Sequence, residues 1–134
     1  MSFLFSQRSV KPDLKQPNFF HTIREFDIEK RLAECVKMRS KYPDKVPVIV
    51  DRGDNKSPTI DKHKYLVPSN HTLLDFQALL RTKIKIAPNE ALFCFIGQEG
   101  IMGQTSKTFG EIYDQHKSED NYLYISYVLE NTFG

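Results

Sequence analysis

The sequence predicts an α+β fold, a sheet with helices packed on one face, and three observations point there. Short β-branched or aromatic runs at VPVIV (46–50), HKYLVP (63–68), ALFCFI (91–96) and 122–128 alternate with segments of helical periodicity. The first two runs are joined by a polar loop of turn residues, the pattern of an antiparallel hairpin. Two later helices open on capping signatures, Thr72-x-x-Asp75 and Thr108-x-x-Glu111, in which side chain and backbone satisfy each other's free donors.

Taken in order, residues 1–17 carry two prolines and no stable period, and are expected to form a mobile extension with Phe3, Leu4 and Phe5 as its cohesive apolar patch. The main domain is expected over 18–128. Asp27 is a good N-cap, and Ile28, Leu32, Cys35 and Val36 then line one helix face to about Ser40, where Tyr42-Pro43-Asp44 stops it. Pro47 restricts its strand position to an end or an edge. Leu73, Phe76, Leu80 and Ile84 mark a second amphipathic helix to about Lys85, and Phe109, Ile112, Tyr113 and His116 a shorter third. The strand over Tyr122–Val128 closes the domain, and 129–134 is expected to be a flexible tail. The order β-β-α-β-α-β behind an N-terminal helix suits a β-grasp arrangement.

With 134 residues, 40% hydrophobic and 12% aromatic, the chain is long enough for one core. No apolar stretch approaches the ~20 residues that span a bilayer, and the N-terminal apolar run is too short for a secretory signal, so a cytosolic protein is expected. The net charge of +2 hides an asymmetry. Residues 1–52 hold 11 Lys/Arg against 7 Asp/Glu, 53–85 hold 6 against 3, and 86–134 hold 2 against 7. A positive face of this kind attracts acidic peptides, anionic lipid or nucleic acid.

Catalytic chemistry is not legible. Gly97-x-x-Gly100-x-x-Gly103 lies between a strand and a helix, but Gln104 stands where a phosphate loop needs Lys, so a flexible strand-to-helix loop is expected. His21, His63, His71 and His116 share no metal-ligand spacing, and no metal or cofactor is implied. Cys35 and Cys94 fall in apolar-periodic segments and read as core thiols. There is no nucleophile elbow and no acid/base pair. The ending is different: Gly134, lacking Cβ, can pass through a narrow channel and present its carboxylate to acyl-transfer enzymes. Such a chain would be a substrate rather than an enzyme, although glycine is also common at frayed termini.

Several stretches then occur in a recognisable order: KYPDKVPVIV (41–50), DKHKYLVP (61–68), NEALF (89–93), GEIY (110–113), Glu119-Asp120, YLYISY (122–127) and the closing Phe133-Gly134. In this order they resemble the GABARAP-like autophagy modifiers, from about Phe19 to the end. The resemblance implies a ubiquitin-like β-grasp core with two additional N-terminal helices. It also implies a cytoplasmic modifier joined through Gly134 to phosphatidylethanolamine, and so found on autophagosome membranes when lipidated. Phe133 would be read by the processing protease, and the chain would be mature as made or truncated to its mature form. Its partners would be the activating, conjugating and deconjugating enzymes of lipidation, together with receptors and adaptors carrying aromatic-x-x-aliphatic motifs. No nucleic-acid partner is expected.

By the same resemblance, the aromatic pocket would use Glu34, Met38, Pro47, Lys64, Leu66 and Tyr122. The aliphatic pocket would use Tyr65, Val67, Pro68, Phe76, Leu79 and Leu80, and Lys45, Lys62, Lys64 and Arg81 would meet acidic flanks. Some positions depart from the family. Leu32 stands where a second basic residue is common, His71 replaces an aliphatic beside the second pocket, Tyr122 replaces a common Phe, and the Gly97–Gly103 loop is longer. Phe20-x-x-Ile23 itself fits the motif, either as an internal occupant or as packing of the first helix. The competing reading is a non-conjugated peptide-binding adaptor of the same fold, separated from the first by the use of Gly134.

Overall fold

A computed structural model describes residues 27–131. The extension at 1–17, the Phe20-x-x-Ile23 match, Phe133 and Gly134 lie outside the described residues, as does any helix before Asp27.

Helix α1 spans Ile28–Lys41. The Asp27 carboxylate accepts from the Glu29 N–H at 3.0 Å, and Arg39 and Lys41 complement the dipole at the other end. Strands β1 (Lys45–Arg52) and β2 (Lys64–Pro68) form the expected antiparallel hairpin, with Val46 opposite Val67 and Val48 opposite Tyr65. Helix α2 covers Leu73–Lys83 and β3 Glu90–Ile96. A two-residue β4 (Ile101–Met102), helix α3 (Phe109–His116) and β5 (Leu123–Asn131) complete the order.

The sheet runs β2-β1-β5-β3-β4, with β1 and β5 parallel at its centre and the other pairs antiparallel. Pro47 sits where its missing N–H costs nothing. Val50 donates to His63 across the β2 side, so by alternation the Pro47 nitrogen faces the β5 side, where pairing begins only at Val48.

Both capping boxes form, at Thr72–Asp75 and Thr108–Glu111. The two helix starts also satisfy each other. Leu73 and Leu74 donate to the carbonyls of Lys107 and Thr105 (both 3.0 Å), while Phe109 and Gly110 donate to His71 (2.8 Å) and Ser69 (2.9 Å). Leu73, Phe76, Leu80, Phe109 and Ile112 pack against Val46, Val48, Val50, Leu123 and Ile125 to form the main core.

The structure corrects four expectations. The helices do not share one face: α2 and α3 cover one side, whereas α1 packs through Cys35 on a second cluster of Ile49, Tyr122 and Tyr124 on the other. The central strands are apolar at consecutive positions, so both faces need cover. The inner stripe of α1 is Arg31, Cys35 and Met38, and Val36 is 58% exposed. The reason is Asp120, almost fully buried, which takes Arg31 Nε at 2.9 Å along with the Tyr122 N–H and the Tyr124 hydroxyl. The glycine run is not a simple loop. Gly97 and Gly100 adopt positive φ (74° and 67°) in a turn that pairs Ile101 and Met102 back onto Ile96 and Phe95. Lastly, β5 runs three residues past Val128, because β3 continues alongside it to the pair Glu90–Asn131.

Candidate functional site

Strand β2 is an edge of the sheet, paired with β1 alone among the described residues. Its side chains alternate. Tyr65 and Val67 oppose Val48 and Val46 and join the main core under α2, whereas Lys64 and Leu66 oppose Ile49 and Pro47 on the α1 side.

On the α1 side the structure gathers Glu34, Met38, Pro47, Lys64, Leu66 and Tyr122. Pro47 and Tyr122 are buried, Leu66 and Met38 are half-buried, and Glu34 and Lys64 stand exposed at the rim. Lys64 Nζ donates to Glu34 Oε1 at 2.9 Å and lies 5.9 Å from the Tyr122 ring centre. The Tyr122 hydroxyl donates to the same carboxylate oxygen. Burial pushes the Glu34 carboxyl up, but the hydrogen bonds from Tyr122 and Lys64 outweigh it and hold the group below its ordinary value. Burial, reinforced by the bond to Glu34, pushes the Tyr122 phenol far up. The tyrosine is therefore a neutral donor that keeps a charged acceptor fixed at the rim.

On the other side the gathering is partial. Tyr65, Val67, Phe76 and Leu80 are core residues, with Tyr65 and Phe76 edge to face at 5.8 Å. Pro68 is half-buried and Leu79 is 38% exposed, so these two offer the surface and the other four lie beneath. His71 is exposed. Lys62 Nζ stands 5.0 Å from the Tyr65 ring centre and Lys45 Nζ 5.3 Å from that of Tyr42, while Arg81 is exposed in the last turn of α2.

Among the described residues there is no group of three or more His, Cys, Asp and Glu able to hold a metal, and no helix long and apolar enough to cross a membrane. Cys35 and Cys94 are free and buried, their thiols pushed up to about 12 by burial.

The family model described as "Autophagy protein Atg8 ubiquitin like" matches residues 30–134. The chain belongs to the Atg8 family. Autophagy-related protein 8 of Mycosarcoma maydis is 47% identical over 111 residues, covering 82% of this chain and 92% of that protein. Autophagy-related protein 8d of Arabidopsis thaliana is 45% identical over 111 residues, with 82% and 91% covered. The crystal structure of Trypanosoma brucei ATG8 matches with a TM-score of 0.76 at 29% identity, over 90% of this chain and all of that one. An Atg8-family chain is a ubiquitin-like autophagy protein, and the five-stranded mixed sheet with its helices is that fold.

Sequence reasoning missed two features around this edge. The Arg31–Asp120 pair joins residues 89 apart and leaves no local pattern. Ser57, read only as a loop residue, is 2% exposed and accepts the Leu129 N–H at 3.1 Å.

Proposed function

We propose that this Atg8-family chain is a modifier conjugated through Gly134 to phosphatidylethanolamine, and that it recruits receptors and adaptors by adding their aromatic-x-x-aliphatic segments to the β2 edge. It is a substrate of its enzymes, not a catalyst. The observation that carries the docking reading is the placement of the two residue sets on opposite sides of β2. In an extended peptide, positions i and i+3 project to opposite faces, so one added strand would reach both sets at once. Lys45, Lys62 and Arg81 supply positive charge for acidic flanks.

Conjugation balances without a catalytic group from this chain. The Gly134 carboxylate attacks the α-phosphorus of a nucleoside triphosphate and expels pyrophosphate, and an enzyme thiolate then displaces the nucleotide to give a thioester. The ethanolamine amine attacks that carbonyl, loses a proton and expels the thiolate, leaving an amide. In this reading the lipid supplies the membrane attachment.

The test separates the two halves. Gly134→Ala should abolish the lipidated, membrane-bound form while peptide binding persists. Leu66→Ala and Lys64→Ala should weaken peptide binding with lipidation intact. Undiminished lipidation of Gly134→Ala contradicts conjugation through that residue, and the absence of a lipidated form of either chain favours a non-conjugated adaptor; unchanged peptide binding by both β2 variants contradicts the docking edge.

A further inference from the structure

Beside the β2 edge, four cations rest on two tyrosine rings. Lys41 Nζ and Lys45 Nζ stand 5.5 and 5.3 Å from the ring centre of Tyr42, and the Arg39 guanidinium carbon and Lys117 Nζ stand 5.1 and 5.6 Å from that of Tyr113. All four lie within the reach of cation–π attraction, about 6 Å. Arg39 joins the two groups, because its Nη1 also donates to the Pro43 and Lys45 carbonyls at 3.3 and 2.7 Å. Among the described residues none of the four forms an ion pair, and neither do the adjacent Asp44 and Asp114. A ring face holds a long side chain in place without neutralising its charge. The patch therefore keeps its positive field and has less rotamer freedom to lose when an anion arrives.

The patch continues the candidate docking edge. Lys45 of β1 pairs with Pro68, the last residue of β2, and Ser69 donates to the Asp44 carbonyl at 2.9 Å. The direction of a docked peptide follows from the two residue sets. On β2 the aromatic set draws on Lys64 and Leu66, and the aliphatic set on Tyr65, Val67 and Pro68, further along the strand. A segment whose aromatic anchor comes first therefore runs parallel to β2, and the residues after its aliphatic anchor leave past Pro68 toward Lys45. We propose that Arg39, Lys41, Lys45 and Lys117 bind the carboxylates of an acidic stretch that follows the aliphatic anchor in the same receptor segment. The proposal rests on the docking reading and deepens it. Lys62, two residues before β2 begins, serves acid ahead of the aromatic anchor, and this patch serves acid behind the aliphatic one.

The test measures the affinity of the full chain for three peptides sharing one aromatic-x-x-aliphatic core: a run of glutamates after the aliphatic anchor, the same run before the aromatic anchor, or glutamines after the aliphatic anchor. Wild type should bind the trailing-glutamate peptide about 5-fold tighter than the glutamine peptide at low salt, and lose that gain near ~0.5 M salt, where exposed pairs are screened. The double variant Lys41→Gln, Lys117→Gln should cut the gain to about 2-fold or less, while the leading-glutamate and glutamine peptides stay within about 2-fold of their wild-type affinities. Lys41→Arg with Lys117→Arg, which keeps both charges, should restore it. No gain from trailing glutamates in wild type overturns the proposal, as does equal weakening of leading and trailing peptides by the glutamine variant. So does a variant whose one loss is sedimentation with vesicles containing phosphatidylserine, which would make the patch a membrane contact. A glutamine peptide bound equally by wild type, Leu66→Ala and Lys64→Ala is a different result: it overturns the docking reading, and this inference with it.

Discussion

Replacing Tyr122 with Phe removes one oxygen and tests the polar rim of the α1-side cluster. The lost hydroxyl donates to Glu34 Oε1, which keeps Lys64 Nζ at 2.9 Å. A hydrogen bond to a charged group contributes ~1.5–3 kcal/mol, but the Glu34 side chain is 44% exposed and water replaces part of the loss. The expected destabilisation is ~1 kcal/mol at neutral pH, or about 3–5 °C in Tm. The pH dependence has a definite sign. Glu34 is held below its ordinary value of 4.5, so its contribution is fully present above that value and fades as pH falls through the lower folded one. With the phenol gone, the upward push of burial is less opposed, so the variant has less of this contribution to lose. Urea denaturation of both proteins between about pH 3 and pH 8 should show a gap that is constant above about 4.5 and narrows below it. A gap independent of pH, or none at pH 7, would refute the assignment of Tyr122 as the donor that holds Glu34 charged.

Asp120→Ala should cost ~3–5 kcal/mol by urea denaturation, because it removes the buried carboxylate that accepts from Arg31 Nε, the Tyr122 N–H and the Tyr124 hydroxyl at once. Gly103→Ala should cost ~1–3 kcal/mol, since a Cβ there would lie 2.3 Å from Leu73 Cδ2 inside the packed core; a variant as stable as wild type by thermal denaturation would contradict that packing. Both thiols, buried and pushed up to about 12, should resist alkylation in the native chain at pH 8 and react only on unfolding, as mass spectrometry of timed samples would record.

What the sequence made legible was local. Each capping box is written within four residues, and VPVIV and HKYLVP declare a hairpin by composition and spacing, so these elements match the structure closely. The misses are long-range. The buried stripe of α1 includes an arginine because its partner Asp120 is 89 residues away, and helical periodicity alone favours Val36, which is exposed, instead. The unbroken apolar run 48–50 did hint that both faces of the sheet would need cover. Strand β4 is two residues long inside a glycine-rich turn, too short for any period to show. At the candidate site, the side to which each β2 residue projects follows from alternation once register is known. The contribution of Glu34 and Met38 depends on how α1 crosses the sheet, which tertiary pairing decides.

The account turns on whether an extended peptide adds to β2 with its two anchors on opposite faces. The most direct measurement is the affinity of two peptides of identical composition for the purified chain, one with the aliphatic anchor three residues after the aromatic and one with it two residues after. The first can fill both sites, whereas the second projects both anchors to one face and forfeits a buried side chain that contributes ~1.5–3 kcal/mol. The account predicts at least ~10-fold weaker binding for the shorter spacing. Equal affinity for the two peptides would contradict it.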